Sequence, residues 1–310
     1  MRFPIKLLCL LAALLLALPG QQAFAAARTV AVFMSGDVAY FDQIRESFEN
    51  AMKADGFTAR NNVDIIVQRP NPDTMAWRNT ARKLVSLNVD AIMAIGGSAA
   101  HIASEETGTI PIIYTATYGP IDMGLTSPNV TGISGDVSIP SLLQTVQQSV
   151  KISKLAVLYS RKEIATILEA KAVKSLEGSM GFTANYYNTD DKAIIQQIED
   201  VDAILVTSCC TAVFCADLVF TRARELKIPT ISLVGGVAER GAVFTYVPDA
   251  GEQGEKAAAM VKQILSGTKP SAVPPVRPEK VNLVINLKEA NTLGIKIPFD
   301  ILTAATEVIK

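Results

Sequence analysis

Histidine is almost missing from this chain: His101 stands alone among 310 residues. One imidazole cannot build a His-Glu-x-x-His zinc site. Lying only three residues after Ser98, it also cannot serve as the late base of an α/β-hydrolase triad, although Gly96-Gly-Ser-Ala-Ala100 comes close to a nucleophile elbow. Cysteine is scarce too, at four. Cys9 sits between leucines inside an apolar leader, a poor context for lipidation. Cys209, Cys210 and Cys215 lack a fourth ligand nearby, so they read as small buried thiols rather than a metal site. Neither sign of charge dominates. With 29 Lys plus Arg against 30 Asp plus Glu, and no basic run, nucleic acid is not expected as a partner. No Gly-x-Gly-x-x-Gly or Walker loop is present, so no cofactor is expected.

Long apolar runs are absent after the first. Arg2 and Lys6 precede Leu7 to Leu18, followed by Pro19-Gly20 and Ala23-Phe-Ala25, the pattern of a cleavable signal peptide over 1–25. The mature chain is therefore expected to begin near Ala26, soluble and exported to the periplasm. Its 49% hydrophobic content places it among globular proteins.

What is abundant is internal repetition. Val89-Asp-Ala-Ile opens an apolar run that ends in Gly96-Gly-Ser98, and Val201-Asp-Ala-Ile opens a second that ends in Ser208-Cys-Cys-Thr211. Flanking stretches repeat as well: Val30-Ala-Val-Phe-Met-Ser35 with Leu155-Ala-Val-Leu-Tyr-Ser160, and Ile110-Pro111 with Ile228-Pro229. A period of roughly 115 to 125 residues is the size of one α/β domain. Strand and helix alternate along both copies, which predicts two doubly wound parallel-sheet lobes. The first lobe is expected over 26–137 with a return segment at 249–270, and the second over 138–248 with a tail at 281–310. The tail is read as a strand, Val281 to Asn286, and two helical segments.

In open parallel sheets ligands sit beyond the carboxyl ends of the strands, so the loops there are the candidate site. Ser35, Asp37 and Tyr40 follow the first strand, with Asp37 read either as a cleft acid or as a helix cap. Gly97, Ser98 and Ala99 open a helix whose amides and hydroxyl can grip a ligand oxygen. Tyr118 lies after another strand and can stack on a planar ligand or fill the lobe interface. Ser160 and Arg161 follow the first strand of the second copy, where Arg161 can pair with an acid or simply face solvent. Cys209, Cys210, Thr211 and Tyr246 complete the set. His101 reads as packed, and Glu105-Glu106 and Asp190-Asp191 as solvent-facing charge.

The residues Gly96 to Ala100, Ile110-Pro-Ile-Ile-Tyr114, Asn129-Val-Thr-Gly-Ile133, Gly254, Ile285-Asn-Leu287 and Leu293-Gly-Ile-Lys-Ile-Pro298 resemble, in order and spacing, the ABC-transporter substrate-binding proteins of the tryptophan/phenylalanine-binding group. The resemblance implies a type I periplasmic-binding fold, with a multi-strand hinge and delivery of a small molecule to an ABC permease in the inner membrane. A non-enzymatic, monomeric solute-binding protein of an importer is thus expected. The alternative is a periplasmic sensing module for a membrane signalling receptor. Where the group carries Asp-Pro and Asp-Asn-Thr, this chain carries Gly119-Pro120 and Cys209-Cys-Thr211, and Ser160-Arg-Lys-Glu163 stands in for an Asn-Pro-Ser-Glu-like loop. These exchanges predict a planar or aromatic ligand with an acidic or neutral end rather than an ordinary zwitterionic amino acid, Asp37 being the one acid left for an ammonium.

Overall fold

The computed structural model describes residues 27–58, 62–208, 213 and 215–310. The signal-peptide reading and Cys209, Cys210 and Thr211 fall outside the described residues.

Apolar runs with turn residues at their ends make the first sheet: β1 (Arg28–Met34), β2 (Val63–Gln68), β3 (Ala91–Ile95), β4 (Ile112–Thr117) and β5 (Val130–Ser134). All pairs are parallel, in the order β2-β1-β3-β4-β5. Helices α1 (Ala39–Ala54), α2 (Thr74–Ser86) and α3 (Gly97–Glu106) connect the first four strands. Continuous hydrophobicity in β1 and β3 fits strands covered on both faces, and Val30 to Met34 and Ala91 to Ile95 are wholly buried.

The second sheet repeats this order strand for strand. It holds β6 (Lys154–Tyr159), β7 (Thr183–Asn188), β8 (Ala203–Val206), β9 (Thr230–Ser232) and β10 (Phe244–Pro248), arranged β7-β6-β8-β9-β10. Its helices include α4 (Ile139–Gln147), α5 (Ile164–Met180) and α6 (Ala216–Leu226). The repeated Val-Asp-Ala-Ile does the same job twice. Asp90 accepts the Thr29 amide at 2.7 Å, while Asp202 accepts the amides of Ser153 and Lys154 at 2.7 and 2.8 Å. Each acid thus holds the start of the neighbouring strand. The two prolines match as well, with the Ile92 amide bonded to Pro111 O and the Ile204 amide to Pro229 O.

Three features depart from the sequence reading. The second sheet is extended by β11 (Val281–Asn286), antiparallel to β10, so it is mixed rather than wholly parallel. After α8 (Leu287–Thr292) and α9 (Phe299–Ala304) the chain ends on β12 (Glu307–Ile309), paired with β11, where only helix was expected. Glu105 and Glu106 are not free surface charge either: Arg78 bonds both and Arg82 bonds Glu106, tying α2 to α3.

Three crossovers join the sheets, after β5, after β10, and through the proline-rich stretch before β11. Helix α7 (Ala250–Leu265) follows β10 yet packs on α1 and the first sheet. Gly254 permits this closeness, since a Cβ there would lie 2.5 Å from the Ile44 carbonyl. The buried face of α1, Ile44, Phe48 and Met52, lies along this contact, and each such side chain contributes about 1.5–3 kcal/mol. In the last crossover the Val276 amide bonds Gly132 O and its carbonyl accepts the Ser134 amide, both at 2.9 Å, so the connector runs beside β5.

Candidate functional site

At the end of β1, Ser35 works as a joint. Its hydroxyl donates to Ile95 O at 3.1 Å and accepts the Ala99 amide at 3.0 Å, while its carbonyl accepts the Trp77 indole N–H at 2.6 Å. Gly96 makes the turn at φ 92°, and a Cβ there would lie 2.5 Å from Ser35 Oγ, so the position tolerates only glycine. Because Ser35 takes the third amide of α3, those of Gly97 and Ser98 are left without an acceptor among the described residues. The N-cap residue, Gly96, has no side chain to take them. Its partial positive charge therefore faces the space between the lobes.

Across that space stands the start of α5. Gly97 nearly touches it, for a Cβ there would lie 3.0 Å from Ala165 Cβ. Glu163, at the N-cap position, and Glu169, within the helix, are both buried and both line the cavity. The Ser208 amide donates to Glu169 Oε2 at 2.7 Å. Burial pushes the Glu169 carboxyl up to about 8, and the nearby charges of Glu163 and Asp136 act in the same direction. Among the described residues no Lys or Arg lines this cavity.

The remaining walls come from both lobes. Tyr40 and Phe41 belong to α1, and the Tyr40 hydroxyl donates to Pro248 O at 2.8 Å. Burial, with Asp249 and Glu252, drives its phenol far above the ordinary value, so it stays neutral. Tyr118 is half-buried and pushed up to about 12, first by burial and then by Glu169. Ala116 sits where β4 loses register, at φ 48°, with its amide held at 2.8 Å by Gln253 Oε1 of α7. A bulge and a left-handed alanine at one place are local costs that concentrate at functional sites. Together these residues enclose about 30 Å³.

Of the residues singled out from the sequence, Ser35, Tyr40, Gly97, Ser98 and Tyr118 come together around this cavity. Ala99 is buried behind it, committed to Ser35. Asp37 stands outside, 71% exposed and paired with Arg69 at 3.3 Å, and it does not cap α1. Ser160 is buried in its own turn with its hydroxyl on Asp190 at 2.6 Å, and Arg161 is exposed with its amide on Asn188. Tyr246 packs with the second-lobe core, because β-strand alternation sends it to the face opposite Thr245 and Val247. His101 lies away from the cavity, 3.4 Å from Glu105.

The expectation that the site lacks acids fails. Counting only the loops after strands overlooked Glu163 and Glu169, together with Phe41, Ala116, Gly135, Ser208, Leu233, Val234 and Pro248. One signal was available, since Glu169 is the single charge in the apolar helical run Ile164-Ala-Thr-Ile-Leu-Glu-Ala170. The geometry sets an anion-seeking helix start against two buried carboxyl groups, with aromatic rings between. It suits a small molecule carrying charges of both signs.

The profile of the family described as "ABC transporter substrate binding protein" matches residues 28–309. A curated relative, the "Tyrosine-binding protein" of Clostridioides difficile (strain R20291), is 25% identical over 257 residues, covering 79% of this chain and 74% of the relative. Among solved structures, the ABC domain in complex with L-Trp from Streptococcus pneumonia superimposes with a TM-score of 0.84 at 24% identity, over 92% of this chain and all of that one. A conserved domain protein from Vibrio cholerae gives 0.87 at 24% identity, over 91% and 99%. These likenesses show the two-lobed fold of type I periplasmic binding proteins.

Proposed function

The chain belongs to the ABC transporter substrate-binding protein family, whose members are solute-binding proteins and not enzymes, and from that premise we propose that it captures an aromatic amino acid in the periplasm and hands it to an inner-membrane ABC permease. The observation that carries this reading is the pair Glu163 and Glu169 facing the open start of α3 across one cavity. A buried ammonium needs a carboxylate, because an unpaired charge in a closed cleft is very costly. The α3 amides and the Ser98 hydroxyl take the ligand carboxylate. Tyr40, Phe41 and Tyr118 flank the ring. The tyrosine and L-Trp in the names of the relatives agree with this chemistry.

Since about 30 Å³ is too little for such a ligand, the lobes part along the Gly97–Ala165 contact to admit it. Closure then works by differential affinity: the ligand touches both lobes only when they are shut, so it stabilises that state. In this reading the leader 1–25 is removed on export and the protein works as a monomer.

The test is calorimetric titration with L-tyrosine, L-tryptophan and L-phenylalanine beside the same side chains on propionate, which lacks the amine. Micromolar or tighter binding of an amino acid, with the deaminated analogue at least tenfold weaker, supports the reading. Equal binding of the two removes the carboxylates from ligand recognition.

A further inference from the structure

Behind the ring of Tyr40 lies a second cavity, of about 440 Å³. That is the size range of small-molecule sites. Its floor is one face of β10, β11 and β12, where the register sets Thr245 beside Val284 and Val284 beside Glu307, with Val247 beside Asn282. Its opposite wall is built from Ala39 and Gln43 of α1 and from Ala250 and Gly251 at the start of α7. Because α1 and α7 pack on the first sheet while the floor belongs to the second, both lobes enclose it.

Two independent observations point to an occupant. Thr245 is 1% exposed on the floor of the cavity, and its hydroxyl has no hydrogen-bond partner among the described residues. A buried polar atom left unpaired is unfavourable and rare, which calls for a partner from outside the chain. The second observation is charge. Glu239, Asp249 and Glu307 line the cavity and, among the described residues, no Lys or Arg does. Asp249 is engaged with the Glu252 amide at 2.8 Å and the Asn282 side-chain amide at 3.0 Å, but Glu239 and Glu307 have no ion pair among the described residues. Between them Val247, Val284 and Ile309 give an apolar stripe.

We propose that this cavity is a second ligand site, for a small alkylammonium ion, and that its occupant adjusts lobe closure. The wall chemistry selects that class. No group of three His, Cys, Asp or Glu close enough to hold a metal ion occurs among the described residues, so the carboxylates are spread rather than gathered. Thr245 and Glu307 stand two strand spacings apart, roughly 10 Å, a span that fits an elongated cation with its carbons on the valine stripe. Tyr40 lines both cavities and is tethered to Pro248 between the lobes. A cation that bridges the lobes here shifts the equilibrium that the cleft ligand shifts, and linkage makes the effect reciprocal. Only this coupling rests on the function proposed above; the site itself does not.

The probe is 1,4-diaminobutane, titrated calorimetrically into the purified mature protein at moderate salt. One saturable site is expected, weakened at least tenfold in Glu239→Gln/Glu307→Gln and several-fold in Thr245→Val, while Ser98→Ala and Glu169→Gln retain it. In the absence of diamine Thr245→Val should melt no lower than wild type, which separates lost binding from lost folding. With the site filled, the affinity of the amino acid found in the cleft should change at least twofold, and the double carboxamide variant should remove that change. Absence of saturable binding overturns the proposal. So does binding lost in Glu169→Gln but kept in the double variant, which puts the diamine in the cleft, and so does equal binding of magnesium, which reduces the effect to charge screening.

Discussion

Glu169 should make ligand capture a proton-releasing event. Its carboxyl is raised from 4.5 to about 8, chiefly because burial disfavours the ionised form, with Glu163 and Asp136 adding repulsion and the Ser208 amide opposing them. At pH 6 to 7 the folded protein therefore holds a proton on Glu169 that an exposed carboxyl has lost. An ammonium seated against this group favours the carboxylate and drives the proton off. If the bound form stays ionised across the range, apparent affinity rises about tenfold per pH unit below 8 and levels off above it. Between pH 6 and 8 the gain is about 50-fold, since each unit corresponds to about 1.4 kcal/mol.

The same shift acts on stability with the opposite sign. Between about 4.5 and 8 the native state binds a proton that the unfolded chain has released, so this group's contribution to stability falls as pH rises through that window. Calorimetry at pH 6.5, 7.5 and 8.5, each in two buffers of different ionisation enthalpy, counts the protons. Release approaching one at pH 6.5 and falling steadily at pH 7.5 and 8.5 is expected, and Glu169→Gln should abolish both the release and the slope. Affinity independent of pH, with no proton exchanged, would refute the pairing of Glu169 with an ammonium.

Three further outcomes are expected, two from the geometry and one from the leader sequence. Ser98→Ala should weaken the amino acid by about 0.5–1.5 kcal/mol, or up to about 3 against a charged carboxylate, with little change in melting temperature; unchanged calorimetric affinity would remove Ser98 from the site. Gly97→Val places branched carbon where a Cβ already meets Ala165 at 3.0 Å, so small-angle scattering should show a protein that fails to compact with ligand. Intact-mass measurement of exported protein should give a mature start within a few residues of Ala26, without acyl chains on Cys9.

The doubled α/β plan was legible because it rests on a repeated local signal. Val-Asp-Ala-Ile occurs twice, and in both places the aspartate serves a neighbouring strand's first amides. Tyr40, Ser98 and Tyr118 could be placed because strand ends and helix starts converge in such sheets. What escaped were contributions that no loop count reveals. Glu169 reaches the cavity from inside a helix, while Pro248, the last residue of β10, and Gly135, the first after β5, reach it where those strands pass into crossovers whose path depends on how the lobes are joined. Ala116 escaped too, because its left-handed backbone comes from a break in strand register rather than from any residue preference. Arg161 misled because a charged loop residue offers the same sequence whether it faces the cleft or water.

The return of α7 to the first sheet has a consequence for how the protein assembles. The cover for Ile44, Phe48 and Met52 lies more than 200 positions downstream of α1, beyond all five strands of the repeated second sheet. An amino-terminal fragment ending at the first crossover would leave uncovered the side of α1 that α7 packs against, and a nascent chain cannot complete its first lobe until most of the second has emerged. The first lobe cannot close its core without a helix that follows the second sheet's five repeated strands, so denaturant should melt both lobes together in one transition rather than in two steps. Under the export proposed above, such late completion would keep the opening segments from settling into a finished lobe before the rest of the chain has been made.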